Sequence, residues 1–232
     1  MNFKRLAARQ ALSYVEDGMV LGLGSGSTTK IFIEMLGEKV KDGSLQDLTG
    51  VPTSIETARQ ARSLGIPLVS LAGLSPESPS PTLDLAVDGA DEVDPQLNLI
   101  KGLGHALLRE KIVESHARRF VVIVDESKLV PRLGRGPLPV EISPYEAEIH
   151  VRWLISLGFR AELWLGEDGK PILTDNGNYL ARCWFSNGIP DPYNLARSLA
   201  DRPGVVEHGL FLDMADLVVI AGAQGVQIKE RS

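Results

Sequence analysis

The chain has 232 residues, 44% hydrophobic and 23% charged, which suits one large domain or a domain carrying an insert and excludes disordered, collagen-like and coiled-coil chains. Lys and Arg total 24 against 30 Asp and Glu, a formal charge of −6, so the average field disfavours nucleic acid and anionic membranes while a local basic site can still hold a small anion. The single cysteine, Cys183, has no partner for an internal disulfide or a Cys-based zinc site, and the expectation is a soluble protein of the reducing cytoplasm.

In chain order, Leu6, Leu12 and Val15 set a helical stripe that stops at Gly18, with no signal-peptide core. Residues 19–23 form a short apolar strand ending in Gly22-Leu23-Gly24-Ser25-Gly26, and Ser27 is placed to cap the helix that follows. Residues 48–52 and 66–71 read as extended around a helix at 55–64, and 75–81, rich in Ser and Pro, as an exposed loop. Strands at 83–87 and 120–124 flank a helix at about 104–117. Strand, loop and helix repeated in this way predict a mainly parallel sheet covered by helices.

The texture changes after Pro131. A Gly- and Arg-rich linker leads to strand 138–142, helix 144–157, strand 160–165, a strand from 171–174 that resumes after Asn176-Gly177 through 185, helix 191–200 and strand 205–208. That order is close to a split βαβ of ferredoxin-like type. Residues 217–221 return to buried-strand character. The predicted architecture is therefore α/β: a Rossmann-like, mainly parallel sheet with helices on both faces (1–130 and 207–232) and an inserted, smaller ferredoxin-like α+β domain (131–206).

Three segments carry chemistry. Gly24-Ser25-Gly26-Ser27-Thr28, at a strand-to-helix junction, offers backbone N–H groups, a helix start and hydroxyls to a phosphate. It matches neither the dinucleotide fingerprint nor the P-loop, and alone it weighs evenly against a plain capped turn. Asp88-Gly89-Ala90-Asp91-Glu92 closes an apolar strand, so Asp88 and Asp91 can serve one polyol. A divalent-metal loop over Asp88, Asp91, Glu92 and Asp94 is the less favoured reading, and an acidic surface turn is about as good as either. Lys101-Gly102-Leu103-Gly104 opens a helix on which Glu110 lies opposite the core face of Leu107, Leu108 and Ile112. By the wheel alone Glu110 is a solvated surface residue, at about three to one. The four histidines lack metal-ligand spacing, Cys183 reads as a buried strand residue, and the three tryptophans as packing.

Taken in order, these motifs resemble the ribose-5-phosphate isomerase family of the A type. The resemblance rests on Gly24 to Thr28, Val51-Pro52-Thr53-Ser54, Asp88 to Glu92, Lys101-Gly102-x-Gly104 with Arg109-Glu110-Lys111-Ile112, and Asp125-Glu126-Ser127-Lys128. It continues through Pro139-Val140-Glu141-Ile142, Thr174 to Asn178 and Pro203 to Phe211. It implies a cofactor-free, metal-free aldose–ketose isomerase of the pentose phosphate pathway that takes ribose 5-phosphate as a homodimer or homotetramer. By the family pattern Glu110 is the base acting through an enediolate, Asp88 and Asp91 handle ring and hydroxyl protons, and Lys101 stabilises developing negative charge. Ser25, Gly26, Ser27 and Thr28 hold phosphate, with Lys4 a further contact. Gly89, Ala90, Gly102, Leu103, Gly104 and Lys128 line the site. The family usually carries glycine at Leu103 and a small residue at His105. A left-handed backbone at Leu103 would alter the oxyanion cradle. The rival readings are an isomerase or transferase on another phosphorylated sugar and a non-enzymatic sugar-phosphate sensor.

Overall fold

The computed structural model describes residues 2–74 and 82–231, and the loop expected at 75–81 lies outside them. The elements are α1 (Phe3–Leu12), β1 (Val20–Leu23), α2 (Ser27–Lys41), β2 (Thr49–Pro52), α3 (Ile55–Ser63), α4 (Leu71–Leu74), β3 (Leu85–Asp88), β4 (Glu92–Val93), β5 (Leu99–Ile100), α5 (Leu107–Glu114) and β6 (Phe120–Asp125). After a 3-10 turn (Glu126–Lys128) come β7 (Leu138–Ile142), α6 (Ala147–Ser156), β8 (Arg160–Leu163), β9 (Tyr179–Trp184), α7 (Pro192–Ala200), β10 (Val205–His208), β11 (Leu210–Phe211), β12 (Leu217–Gly222) and β13 (Gly225–Glu230). Two compact units divide them: Met1–Ala90, Arg109–Lys128 and Asp213–Ser232 form one, Asp91–Leu108 and Leu129–Leu212 the other.

In the first unit a six-stranded sheet runs β13-β12-β6-β3-β1-β2. All its pairs are parallel except β12 with β13, which form an antiparallel hairpin. The chain leaves β1 for β2 on one side and returns to β3 on the other. β1 and β3 thus flank the topological switch point, where open sheets of this kind take ligands at the carboxyl ends of their strands. Alternation along the strands sends side chains to both faces. Leu21 and Leu23 of β1, with Val121 and Ile123 of β6, pack on Ala7, Ala8 and Ala11 of α1 and Phe32, Ile33 and Leu36 of α2. On the opposite face Val51, Leu83 and Val113 form a second cluster. The closeness of that packing explains Gly22, where a Cβ would lie 2.9 Å from Ala86 Cβ.

In the second unit β7–α6–β8–β9–α7–β10 builds an antiparallel sheet in the order β10-β7-β9-β8, the split βαβ arrangement. The strand expected at 171–174 is absent. Only isolated bridges, Leu165 with Pro171 and Leu173 with Tyr179, remain there. Buried Glu141 on β7, whose Oε1 accepts from Thr174 Oγ1 (2.9 Å), Asn176 Nδ2 (3.2 Å) and Asn178 Nδ2 (2.9 Å), holds the turn that follows. Three short strands, β11-β5-β4, make a further sheet that draws Asp91–Leu108 into this unit, a segment the sequence reading grouped with the first. The extended stretch expected at 66–71 keeps one bridge, Gly50 with Leu68, before α4 begins.

Candidate active site

Both chemical segments of the first unit sit at the switch-point ends of β1 and β3. Gly24 N–H bonds Val87 O at 3.0 Å, which lays the glycine-rich turn along β3. Asp88, fully buried at the end of β3, uses Oδ1 to accept from Ser25 N–H (2.9 Å), Thr29 Oγ1 (2.9 Å) and its neighbour Gly89 N–H (2.6 Å). Only glycine fits at position 24, because a Cβ there would lie 2.1 Å from Asp88 Cγ. Ser25 Oγ then meets Thr53 Oγ1 at 2.8 Å and Thr57 Oγ1 at 3.2 Å.

The cap of α2 differs from expectation. Gly26, at φ 95°, is the N-cap and makes no side-chain bond, while Ser27 is the first helical residue and its Oγ accepts from Lys4 Nζ at 2.8 Å. A glycine cap supplies no side-chain acceptor for the first N–H groups of the helix, which suits anion recognition at a helix start. Thr29, Thr53 and Thr57 organise this turn, and the sequence reading gave them no role. The signal was present in Thr28-Thr29 and in the Ser54 cap, whose Oγ accepts from Thr57 N–H at 3.0 Å.

In the second unit Asp91 and the 101–104 loop come together. Leu103 N–H donates to Asp91 Oδ2 at 2.9 Å, and Lys101 N–H to Gly209 O at 2.9 Å. Lys101 is buried, with Nζ 5.4 Å from the centroid of the Phe211 ring. Gly102 has φ 109° and packs on Leu107, and His105 has φ 65°, its N–H bonded to Gly102 O at 3.0 Å. These two left-handed residues delay α5 to Leu107 instead of Gly104. Leu103 is not left-handed, so the strain anticipated there falls on His105, where it costs about 1–2 kcal/mol. Burial pushes the His105 imidazole below its ordinary value, which favours the neutral ring.

The metal-loop alternative has lost two of its carboxylates to the backbone. Glu92 accepts from the N–H groups of Gly134 (2.7 Å), Arg135 (3.3 Å) and Gly136 (2.5 Å), and Asp94 from those of Gln96 and Asn98. Among the described residues no cluster of three His, Cys, Asp or Glu side chains is arranged to hold a metal.

Glu110 contradicts the helical wheel: it is 4% exposed, a buried carboxylate on α5. Lys128, half-buried, ends the 3-10 turn beyond the carboxyl end of β6. The first unit therefore carries residues 25–28, Asp88, Gly89, Ala90, Glu110 and Lys128, and the second Asp91 and residues 101–104. Glu110 and Lys128 stand on elements separate from the Asp88 network. Cys183 is fully buried, and burial pushes its thiol far up, away from nucleophile chemistry.

A flavodoxin-like strand order, with carboxylates and helix-start N–H groups at its switch point, marks an α/β protein built to take a small polar ligand. Residues 49–225 match the family model for ribose 5-phosphate isomerase A (phosphoriboisomerase A). A ribose-5-phosphate isomerase A of Roseiflexus castenholzii is 51% identical over 225 residues, covering 97% of this chain and 93% of the relative. A probable ribose-5-phosphate isomerase 2 of Arabidopsis thaliana is 48% identical over 98% of this chain and 86% of its own. Among solved structures, a D-ribose-5-phosphate isomerase in complex with phospho-erythronic acid superposes with a TM-score of 0.94 at 44% identity, covering the whole of both chains. The chain belongs to the ribose 5-phosphate isomerase A family. No described helix is long and apolar enough to cross a membrane.

Proposed function

We propose that this chain interconverts D-ribose 5-phosphate and D-ribulose 5-phosphate through an enediolate, with Glu110 as the proton carrier. The Glu110 carboxylate takes the proton from C2 of the open-chain aldose and returns it to C1, while a proton leaves the 2-hydroxyl and one arrives on the C1 oxygen. Atoms balance with no outside oxidant or reductant. A carboxylate is a weak base for a carbon acid. Catalysis therefore depends on lowering the enediolate's energy, which the ammonium of Lys101 does by facing its oxygens, and on a dehydrated base, which burial of Glu110 favours.

Asp88 and Asp91 move protons among the sugar oxygens, and their bonds to Ser25, Gly89, Thr29 and Leu103 aim them. Ser25, Gly26, Ser27 and Thr28 hold the phosphate with the start of α2, joined by Lys4. Gly89, Ala90, Gly102, Leu103 and Gly104 border the sugar, and Lys128 adds positive charge. The working form is a homodimer or homotetramer of the cytoplasm. Exposed Tyr145, Ile149 and Ile155 in and beside α6 support the first point, and the buried free thiol supports the second. Light scattering on the purified chain tests the assembly.

The observation that carries the functional reading is family membership across nearly the whole chain, with every catalytic residue of the set inside the matched span. A coupled assay of ribose 5-phosphate turnover in EDTA tests it. Wild type turns over with EDTA present, and Glu110→Gln loses about 10²–10⁴-fold in kcat. Absent wild-type turnover would sink the function, full activity in the variant would sink the base, and strong EDTA inhibition would sink the metal-free mechanism.

A further inference from the structure

His105 bears a left-handed backbone and has no part in the proton transfers. Its ring stands edge-on to Trp164, centroids 4.5 Å apart and planes at 88°. Trp164 is itself held. Its N–H bonds Leu180 O at 2.8 Å and its carbonyl accepts from Ile172 N–H at 2.9 Å, which ties it between β9 and the 171–174 arm. The guanidinium of Arg182 lies 5.0 Å from the Trp164 ring and 5.2 Å from Trp184. Glu162 fixes Arg182 at 2.8 Å and Arg160 at 2.8 Å, and Arg160 in turn covers Trp184 at 4.4 Å. A ladder of alternating aromatic and charged groups thus runs across the sheet of the second unit and ends on the His105 ring.

The loop is also anchored by Lys101 N–H on Gly209 O and by Leu103 N–H on the Asp91 carboxylate. The His105 N–H bond to Gly102 O closes the turn, yet φ 65° is still an uncommon conformation for a residue with a Cβ, even for histidine. The ring contact opposes relaxation to the right-handed side. Resting on the isomerase reading above, we propose that His105 is a positioning residue: set edge-on against the Arg182-backed ring of Trp164, it holds the left-handed turn closing the 101–104 loop and so fixes where Lys101 presents its charge.

The test uses His105→Asn, which tolerates the left-handed backbone but has no ring, together with Trp164→Leu, their double variant and Trp164→Phe. Each of the first two lowers kcat about tenfold with KM within twofold, the scale of a small misplacement of a charge-stabilising group. The double variant is no worse than either single one, because both break one contact. Trp164→Phe, which keeps an aromatic face, restores most of the rate. Amide hydrogen exchange over residues 102–106 provides a second reading that needs no turnover, and protection falls in His105→Asn and Trp164→Leu. Wild-type kcat in His105→Asn, additive losses in the double variant, or unchanged protection would overturn the positioning role. If wild type itself fails to turn over ribose 5-phosphate, the functional reading fails, and the exchange data alone decide whether His105 holds the loop.

Discussion

The turn after β1 and the 101–104 loop hold their polar groups by opposite means. The first is locked from beneath: Asp88 is wholly buried, gathers three donors on one oxygen and leaves no space for a Cβ at Gly24. The second is held from its ends and side. Its backbone reaches Gly209 and Asp91, Leu103 is 37% exposed, and His105 leans on a tryptophan. The parallel sheet dictates the first, because its switch point leaves a single way to fill the space. Individual side chains shape the second.

The contrast is open to attack at four points, in falling order of effect. Asp88→Ala strands the N–H groups of Ser25 and Gly89 and the Thr29 hydroxyl, and should cost about 3 kcal/mol in urea unfolding. A cost below about 1 kcal/mol would mean the turn is not locked from beneath. Gly24→Ala forces Asp88 aside and should cost about 2 kcal/mol, read in the same way. Leu103→Gly removes an exposed side chain at a position without a positive φ and should cost no more than about 1 kcal/mol.

The smallest effect is one of pH. Burial lowers the folded-state pKa of His105 below its ordinary 6.5, so the unfolded chain binds the extra proton first as pH falls. Its contribution to stability is complete above about pH 6.5 and is lost as pH drops through the lowered folded value. Thermal midpoints between pH 7 and pH 5 should therefore fall less in His105→Asn than in wild type. Equal slopes would place the imidazole in water.

Much of this was legible in the residues. The runs at β6, β7 and β10 are apolar or alternating and bounded by turn residues, so periodicity alone located them. The ordered motifs located both polar segments. What escaped was non-local or too short. Strands β4, β5 and β11 have two residues each, too few to show a period, and they decide that Asp91–Leu108 joins the second unit. Strand β13 was missed because Val226 and Ile228 alternate weakly on an exposed edge, although the tight turn between Gly222 and Gly225 was a hairpin signal. The burial of Glu110, assigned as the base by resemblance, escaped the wheel, because a wheel describes one helix and what buries a residue lies outside it. The late start of α5 could be read in Gly102 but not in His105, whose backbone follows from a contact with Trp164 far along the chain.

The most direct test of the central claim is solvent deuterium at C1 of ribulose 5-phosphate formed from ribose 5-phosphate in D₂O, compared between wild type and Glu110→Gln. Proton transfer through a buried carboxylate predicts incorporation by wild type and, in the variant, exchange slowed by about 10²–10⁴-fold together with turnover. Exchange in Glu110→Gln at the wild-type rate would show that another group carries the proton and would contradict the account.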